Sequence, residues 1–286
     1  MLLKSFKTAV VVLLQFLVVA CSTSKQASKT KTDNTLDKPL NTNNSIMWQI
    51  SGNNLSQPSY LFGTIHAIPA KDYFLGKNVE KKLKSVDQLV LEMDLDKVNL
   101  AKLSQLSLLP NDVSIFDFVS QENYNKALTF AVDSLGVNEY TFENAYAKMK
   151  PFYLEQMVMM SMIGNDKMMY EDELMHIVKD KHIPILGLET LDEQLGLIDS
   201  IPLQEQYDAF IESIVHYDKQ LKQYNDLVEA YKEQNLDKLL KMFDLEYGND
   251  NAAYKSILID QRNANWLDKI TTLISDKSSF IAVGAG

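Results

Sequence analysis

Cysteine is nearly missing from this chain: Cys21 is the only one in 286 residues. A disulfide within the chain is therefore excluded. If the Cys21 thiol is used elsewhere, so are a thiolate-bound zinc and a cysteine nucleophile. Arginine is equally scarce. Arg262 stands alone, with lysine at every other basic position. An AT-rich genome explains the lysines but not the survivor, which points to bidentate carboxylate pairing or oxyanion stabilisation, tasks lysine does not perform. Positive charge is outweighed as well, at a formal net charge of −10. Setting aside Lys4 and Lys7, then the four lysines and two aspartates of residues 21–45, leaves −14 for the remainder. That field repels phosphates and argues against a nucleic-acid partner; a basic peptide or a cation suits it better.

Long apolar runs are absent too, apart from one. Ala9 to Ala20 is apolar except for Gln15 and follows Lys4 and Lys7. It is too short to span a bilayer as a mature helix and suits the hydrophobic region of a signal peptide, residues 1–20. It ends in Val18-Val19-Ala20-Cys21. This resembles the bacterial lipobox, which implies acylation of Cys21, cleavage before it and stable anchoring by more than one acyl chain. Residues 22–45 are Ser, Thr, Asn and Lys with almost nothing to bury, and read as a flexible tether. The expected address is the cell envelope, with the domain at 46–286 held outside the cytoplasm, on the periplasmic side, through its lipid anchor.

In that domain, Met47–Ile50 and Tyr60–Phe62 read as a strand hairpin around Gly52-Asn53-Asn54. Further apolar runs at 88–93, 183–186 and 280–283 read as buried strands. Helical patterns cover 76–86 and 121–135, the second ending at Gly136, and Pro151 suits a first helical turn. Leu203, Tyr207, Phe210, Ile214, Tyr217, Leu221, Tyr224, Val228 and Tyr231 step by four and three, so one long helix with a continuous apolar seam is expected. That seam packs within the monomer against a helix at about 252–274, or else forms a homodimer through 203–231. Its tyrosine content is not in itself functional evidence. The methionines crowding 149–175 read as a deformable apolar wall rather than a copper site, since no cysteine or histidine cluster accompanies them. The pattern as a whole predicts an α/β fold, a mixed central sheet with a large helical insertion, and ligands at the carboxyl ends of strands.

Four strand ends carry suggestive residues. His66 leaves a strand in Gly63-Thr-Ile-His66, although a lone histidine is more often structural. Glu92 interrupts an apolar run; it is either solvated, by alternation or at the strand's open end, or else paired or bound to a metal, because a buried carboxylate is otherwise costly. Glu189 repeats the arrangement, with helix capping as the competing reading. The last strand runs into Gly284-Ala285-Gly286. His176, His182 and His216 read as surface or structural.

Trp48-Gln-Ile-Ser, Tyr60-Leu-Phe-Gly-Thr-Ile-His66, Leu89-Val-Leu-Glu-Met-Asp94, Gly187-Leu-Glu-Thr-Leu-Asp-Glu-Gln194, Arg262-Asn-x-x-Trp266 and Phe280-Ile-Ala-Val-Gly-Ala-Gly286 together resemble the TraB/GumN family. The resemblance implies kinship with the Tiki proteins, membrane-tethered metal-dependent proteases, and more distantly with erythromycin-esterase and ChaN-like folds. It implies a first GxxH motif at Gly63 and His66, strand-end glutamates at Glu92 and Glu189, and the arginine at Arg262. A second GxxH would run from Gly284 through Ala285 and Gly286, and the complete chain is expected to continue with its histidine. The implied activity is that of a metal-dependent hydrolase, most of all a peptidase, using manganese or cobalt. His66 would bind the metal, Glu92 or Glu189 would act as ligand or general base, and Arg262 would stabilise the oxyanion. The alternatives are a non-catalytic surface lipoprotein that binds or sequesters a peptide or pheromone, and a structural envelope lipoprotein with a degenerate site.

Overall fold

The computed structural model describes residues 45–246 and 255–285. Cys21, the signal-like segment, most of the tether and Gly286 lie outside the described residues. The chain opens with the expected hairpin: β1 (Met47–Ile50) and β2 (Ser59–Thr64) pair antiparallel. Gly52, Asn53 and Asn54 all take positive φ in the connecting turn, the conformation glycine and asparagine tolerate best. A short β3 (Ala67–Pro69) follows, then α1 (Lys77–Leu83), β4 (Gln88–Met93) and α2 (Leu100–Leu106). A helical stretch holds α3 (Gln121–Leu135), α4 (Glu139–Asn144) and α5 (Pro151–Ile163). Next come β5 (Lys167–Met169), α6 (Tyr170–Lys179), β6 (Ile185–Glu189), α7 (Leu191–Asp199), α8 (Leu203–Val215), α9 (Tyr217–Lys232) and α10 (Leu236–Glu246). A π-helical turn, Ser256–Asp260, leads into α11 (Gln261–Asp276) and β7 (Ser279–Gly284).

The main sheet has the order β1-β2-β7-β4-β6, with β2, β7, β4 and β6 mutually parallel and β1 antiparallel at the edge. Parallel pairing places the carboxyl ends of four strands along one rim. Strand alternation then sorts the core into two layers. Tyr60, Phe62, Leu89, Leu91, Phe280 and Ala282 face a core built with α1, α6 and α9. Leu61, Val90, Leu188 and Ile281 face the opposite side, where Trp266, Ile270 and Leu273 of α11 cover them. The α/β expectation is met. So is the helical insertion, which has its own core: Tyr124, Ala127 and Ala131 of α3 meet Leu154, Val158 and Met162 of α5 and Tyr207, Phe210 and Ile211 of α8.

Several boundaries differ from the sequence reading. The strand expected at 183–186 runs Ile185–Glu189; Pro184 has no N–H to give a ladder, and its carbonyl accepts from Leu89 N–H just before the strand begins. The β3–β5 ribbon was not anticipated, because runs of three residues carry no readable period. The single helix at 203–231 is two helices, broken at His216 (φ −107°, ψ 23°). The seam serves two cores, and α9 spans both, since its first residues Tyr217 and Leu221 still pack on the helical layer. Tyr207 and Phe210 lie in the helical layer beside α3 and α5, whereas Tyr224, Val228 and Tyr231 lie against the sheet. The helix that was expected to receive the seam, α11, covers the other face of the sheet instead. The expected caps hold: Gly136 ends α3 at φ 68° and Pro151 opens α5. His176, His182 and His216 are exposed. Met159 and Met162 are buried in α5, and Met160, Met168 and Met169 pack on the sheet-side core. No helix among the described residues is long and apolar enough to cross a membrane.

Candidate active site

The strand rim gathers the chemistry. β2 ends at Thr64, and the chain then turns sharply: Ala67 N–H donates to Ile65 O at 2.7 Å, closing a γ-turn centred on His66 at φ 57°. A positive φ is uncommon for a residue with a Cβ, and this kind of γ-turn is strained. It turns the imidazole inward, where His66 is 5% exposed. Gly63 is needed just upstream, since a Cβ there would lie 2.9 Å from the Ala285 Cβ.

Glu171 was not foreseen from the sequence, and it holds this histidine. Its Oε1 lies 2.8 Å from His66 Nδ1 and accepts the Thr64 hydroxyl at 2.7 Å. Glu171 sits in the first turn of α6, 3% exposed. An acidic residue there reads as a favourable solvated charge at a helix start. The overlooked signal is its spacing with Leu174, Met175 and Val178, which puts residue 171 on the buried face. Burial by itself pulls the His66 imidazolium down; the Glu171 charge and hydrogen bond, with Glu92 further off, outweigh burial and the opposing Arg262 charge. The result is raised from 6.5 to about 9. For Glu171, burial pushes up, but the His66 charge and the His66 and Thr64 hydrogen bonds hold the carboxyl below its ordinary value.

With Nδ1 engaged, Nε2 is the nitrogen presented forward. It faces Glu92 Oε1 at 3.9 Å. Glu92 is 3% exposed, so the open question about it resolves as paired rather than solvated. Its Oε1 accepts the Gly284 N–H at 2.8 Å, and its Oε2 accepts Arg262 Nη2–H at 2.8 Å. Glu189 takes the rest of the guanidinium: Nε donates to its two oxygens at 3.0 and 3.1 Å, and Nη2 to Oε2 at 2.9 Å. Trp266 Nε1–H adds a bond to Glu189 Oε1 at 2.8 Å, while the Arg262 guanidinium lies 4.9 Å from its own helix neighbour's ring, that of Trp266. Arg262 Nη1 reaches Leu258 O, in the π-helical turn, at 3.3 Å. Burial lowers the Arg262 pKa, but the bonds and charges of Glu189 and Glu92 raise it above the ordinary value. The helix start after β6 is capped by Thr190 with Glu193, which leaves Glu189 to the arginine. Gly187 lets the two strand ends cross closely, since a Cβ there would fall 2.6 Å from Asp94 N.

His66, Glu92, Glu189, Arg262 and Gly284 are thus brought together, with Gly63 packed beneath. An imidazole nitrogen backed by a carboxylate, opposite a carboxylate oxygen, is donor chemistry suited to a first-row divalent cation. His66 Nε2 and Glu92 Oε1 supply two such donors; no group of three or more His, Cys, Asp or Glu that could hold a metal occurs among the described residues.

A family model described as the TraB/PrgY/gumN family matches residues 46–286. The chain is also 27% identical over 120 residues to Metalloprotease TIKI2 of Danio rerio; that stretch covers 40% of this chain and 23% of the zebrafish protein. No solved structure matches the chain significantly.

Proposed function

The chain belongs to the TraB/PrgY/gumN family, and from that premise we propose that it is a metal-dependent hydrolase that cleaves peptide bonds. One observation carries the reading: a buried histidine, its rear nitrogen fixed by Glu171, presents Nε2 to the Glu92 carboxylate 3.9 Å away at the rim of a parallel sheet. The name of the zebrafish relative supports a peptidase over another hydrolase. In this reading His66 Nε2 and Glu92 Oε1 hold the cation, manganese or cobalt, which supplies Lewis-acid polarisation of a carbonyl. Glu171 and Thr64 keep the imidazole oriented. Arg262 holds Glu92 by Oε2 so that Oε1 stays turned to the histidine, and Glu189 with Trp266 holds Arg262 in turn. The first task of the guanidinium is therefore to position a carboxylate rather than to meet an oxyanion.

Calorimetric titration of the full chain with Mn²⁺ or Co²⁺, alongside a peptide-cleavage assay, tests this. Wild type is expected to bind the cation and cleave, and His66→Ala to lose both. Gly284→Ala is a second probe, because its Cβ would stand 3.1 Å from His66 Nε2 and 3.3 Å from Glu92 Oε1. It is expected to weaken the cation by roughly tenfold or more while the fold persists. Cation binding untouched by His66→Ala sinks the reading. Tight peptide binding by metal-free protein without cleavage replaces it with a sequestering lipoprotein.

The same reading sets this domain at a membrane surface, through acylated Cys21 and the tether that follows. Cys21→Ser is expected to move the protein from the membrane fraction to the soluble one. No incorporation of labelled palmitate into the wild-type chain rules the anchor out.

A further inference from the structure

Five consecutive carbonyls around the histidine each have a named donor. Thr64 O accepts Ala285 N–H at 2.9 Å, Ile65 O accepts Ala67 N–H at 2.7 Å and His66 O accepts Tyr170 N–H at 2.7 Å. The two outer ones are met by side chains. Tyr231 Oη–H donates to Gly63 O at 2.8 Å, and Tyr224 Oη–H donates to Ala67 O at 3.1 Å. These tyrosines stand two helical turns apart on one face of α9. Tyr224 is 6% exposed and Tyr231 1%. The Tyr231 ring also meets the ring of Tyr170, whose backbone N–H holds His66 O, edge-on at 5.6 Å.

We propose that Tyr224 and Tyr231 are positioning residues whose hydroxyls pin the two ends of the segment 63–67 that contains the strained His66 turn, coupling the helical layer to the active site. A side chain other than glycine keeps a positive φ only where its surroundings over-determine it. Here the over-determination is visible as hydrogen bonds, and α9 contributes both side-chain donors. Packing does not require those hydroxyls, because phenylalanine fills the same volume. The other seam tyrosines make the contrast. The Tyr207 hydroxyl donates to Met149 O at 3.3 Å, and the Tyr217 hydroxyl meets the Ser161 hydroxyl at 3.1 Å, both inside the helical layer. Only the α9 half of the seam reaches the turn. Its effect on turnover rests on the hydrolase reading above; the pinning of the turn does not.

The test uses the full chain labelled with ¹⁵N-histidine. His66 is the buried histidine of four, so its imidazole signals stand apart. In the double variant Tyr224→Phe, Tyr231→Phe, solvent exchange of the His66 Nδ1 proton is expected to accelerate by roughly tenfold or more. Tyr207→Phe, the control for a merely structural hydroxyl, is expected to leave it unchanged. Cation affinity in the double variant is expected to fall about tenfold. Unchanged exchange in the double variant overturns the proposal, and so does equal acceleration in Tyr207→Phe. If wild type binds no cation and cleaves nothing, the hydrolase reading fails, while the exchange comparison still decides whether the tyrosines pin the turn.

Discussion

Arg262→Met is expected to destabilise the protein by about 3–5 kcal/mol, the range for breaking a buried ion pair from one side. The guanidinium is 3% exposed and bonds both Glu92 and Glu189. Methionine fills much of the volume but leaves Glu189 buried without its counter-charge, and Glu92 with only the His66 imidazole 3.9 Å away. Urea denaturation, compared at constant slope, reads the loss. Adding Glu92→Gln and Glu189→Gln to the same variant is expected to recover part of it, since replacing a whole buried network costs less than orphaning half of one. A loss below about 1 kcal/mol for Arg262→Met, a value ordinary for an exposed pair, rules out the clamp.

The second large effect is expected at Glu171. In the metal-free protein, Glu171→Gln removes the charge that holds the His66 imidazolium up and leaves the burial that pulls it down. The His66 pKa, raised to about 9 in the native chain, is expected to drop to 6.5 or lower, as followed by an NMR titration of the imidazole. Stability follows with a definite sign. A histidine whose folded pKa exceeds its unfolded value contributes stability that is complete below pH 6.5 and is lost as pH rises through about 9. Raising a pKa by one corresponds to roughly 1.4 kcal/mol, so native metal-free protein should lose on the order of 3 kcal/mol from this group across that window. Glu171→Gln should be nearly flat there. A His66 pKa that stays near 9 in the variant means that the charge responsible is not Glu171.

These two residues differ in how visible they were. Arg262 stood out by composition: a lone arginine among lysines signals a geometry that only a planar fork satisfies, and the bidentate grip on Glu189 is that geometry. Glu171 had no comparable mark. Its identity and its place in a first helical turn suit a solvated charge, and only the apolar residues three, four and seven positions on betray the buried face. Glu92 was ambiguous for a different reason. Alternation puts it on the Val90 side of β4, but whether that side meets water depends on α11, which is 170 residues further along the chain. The seam of 203–231 misled in the opposite direction. Its regular spacing reads as one helix on one partner, yet past the break at His216 it passes from the helical core, which still holds Tyr217 and Leu221, to the histidine turn, which Tyr224 and Tyr231 brace.

The sequence by itself determined what depends on neighbours along the chain: the hairpin, the buried strands, the caps at Gly136 and Pro151, and the strand-end positions of His66, Glu92 and Glu189. Periodicity and turn chemistry are local, so they survive in one dimension. Tertiary structure alone decided which nitrogen of His66 faces the site, that Arg262 holds Glu92 and Glu189 together, and that two tyrosines from a distant helix secure a strained turn. Each of these requires partners between about 70 and 190 residues apart, and only the pairing of β2, β7, β4 and β6 into one parallel sheet draws them to a common rim. Hydrogen bonds and ion pairs act over a few ångströms, so their energies belong to that rim and have no expression in residue order.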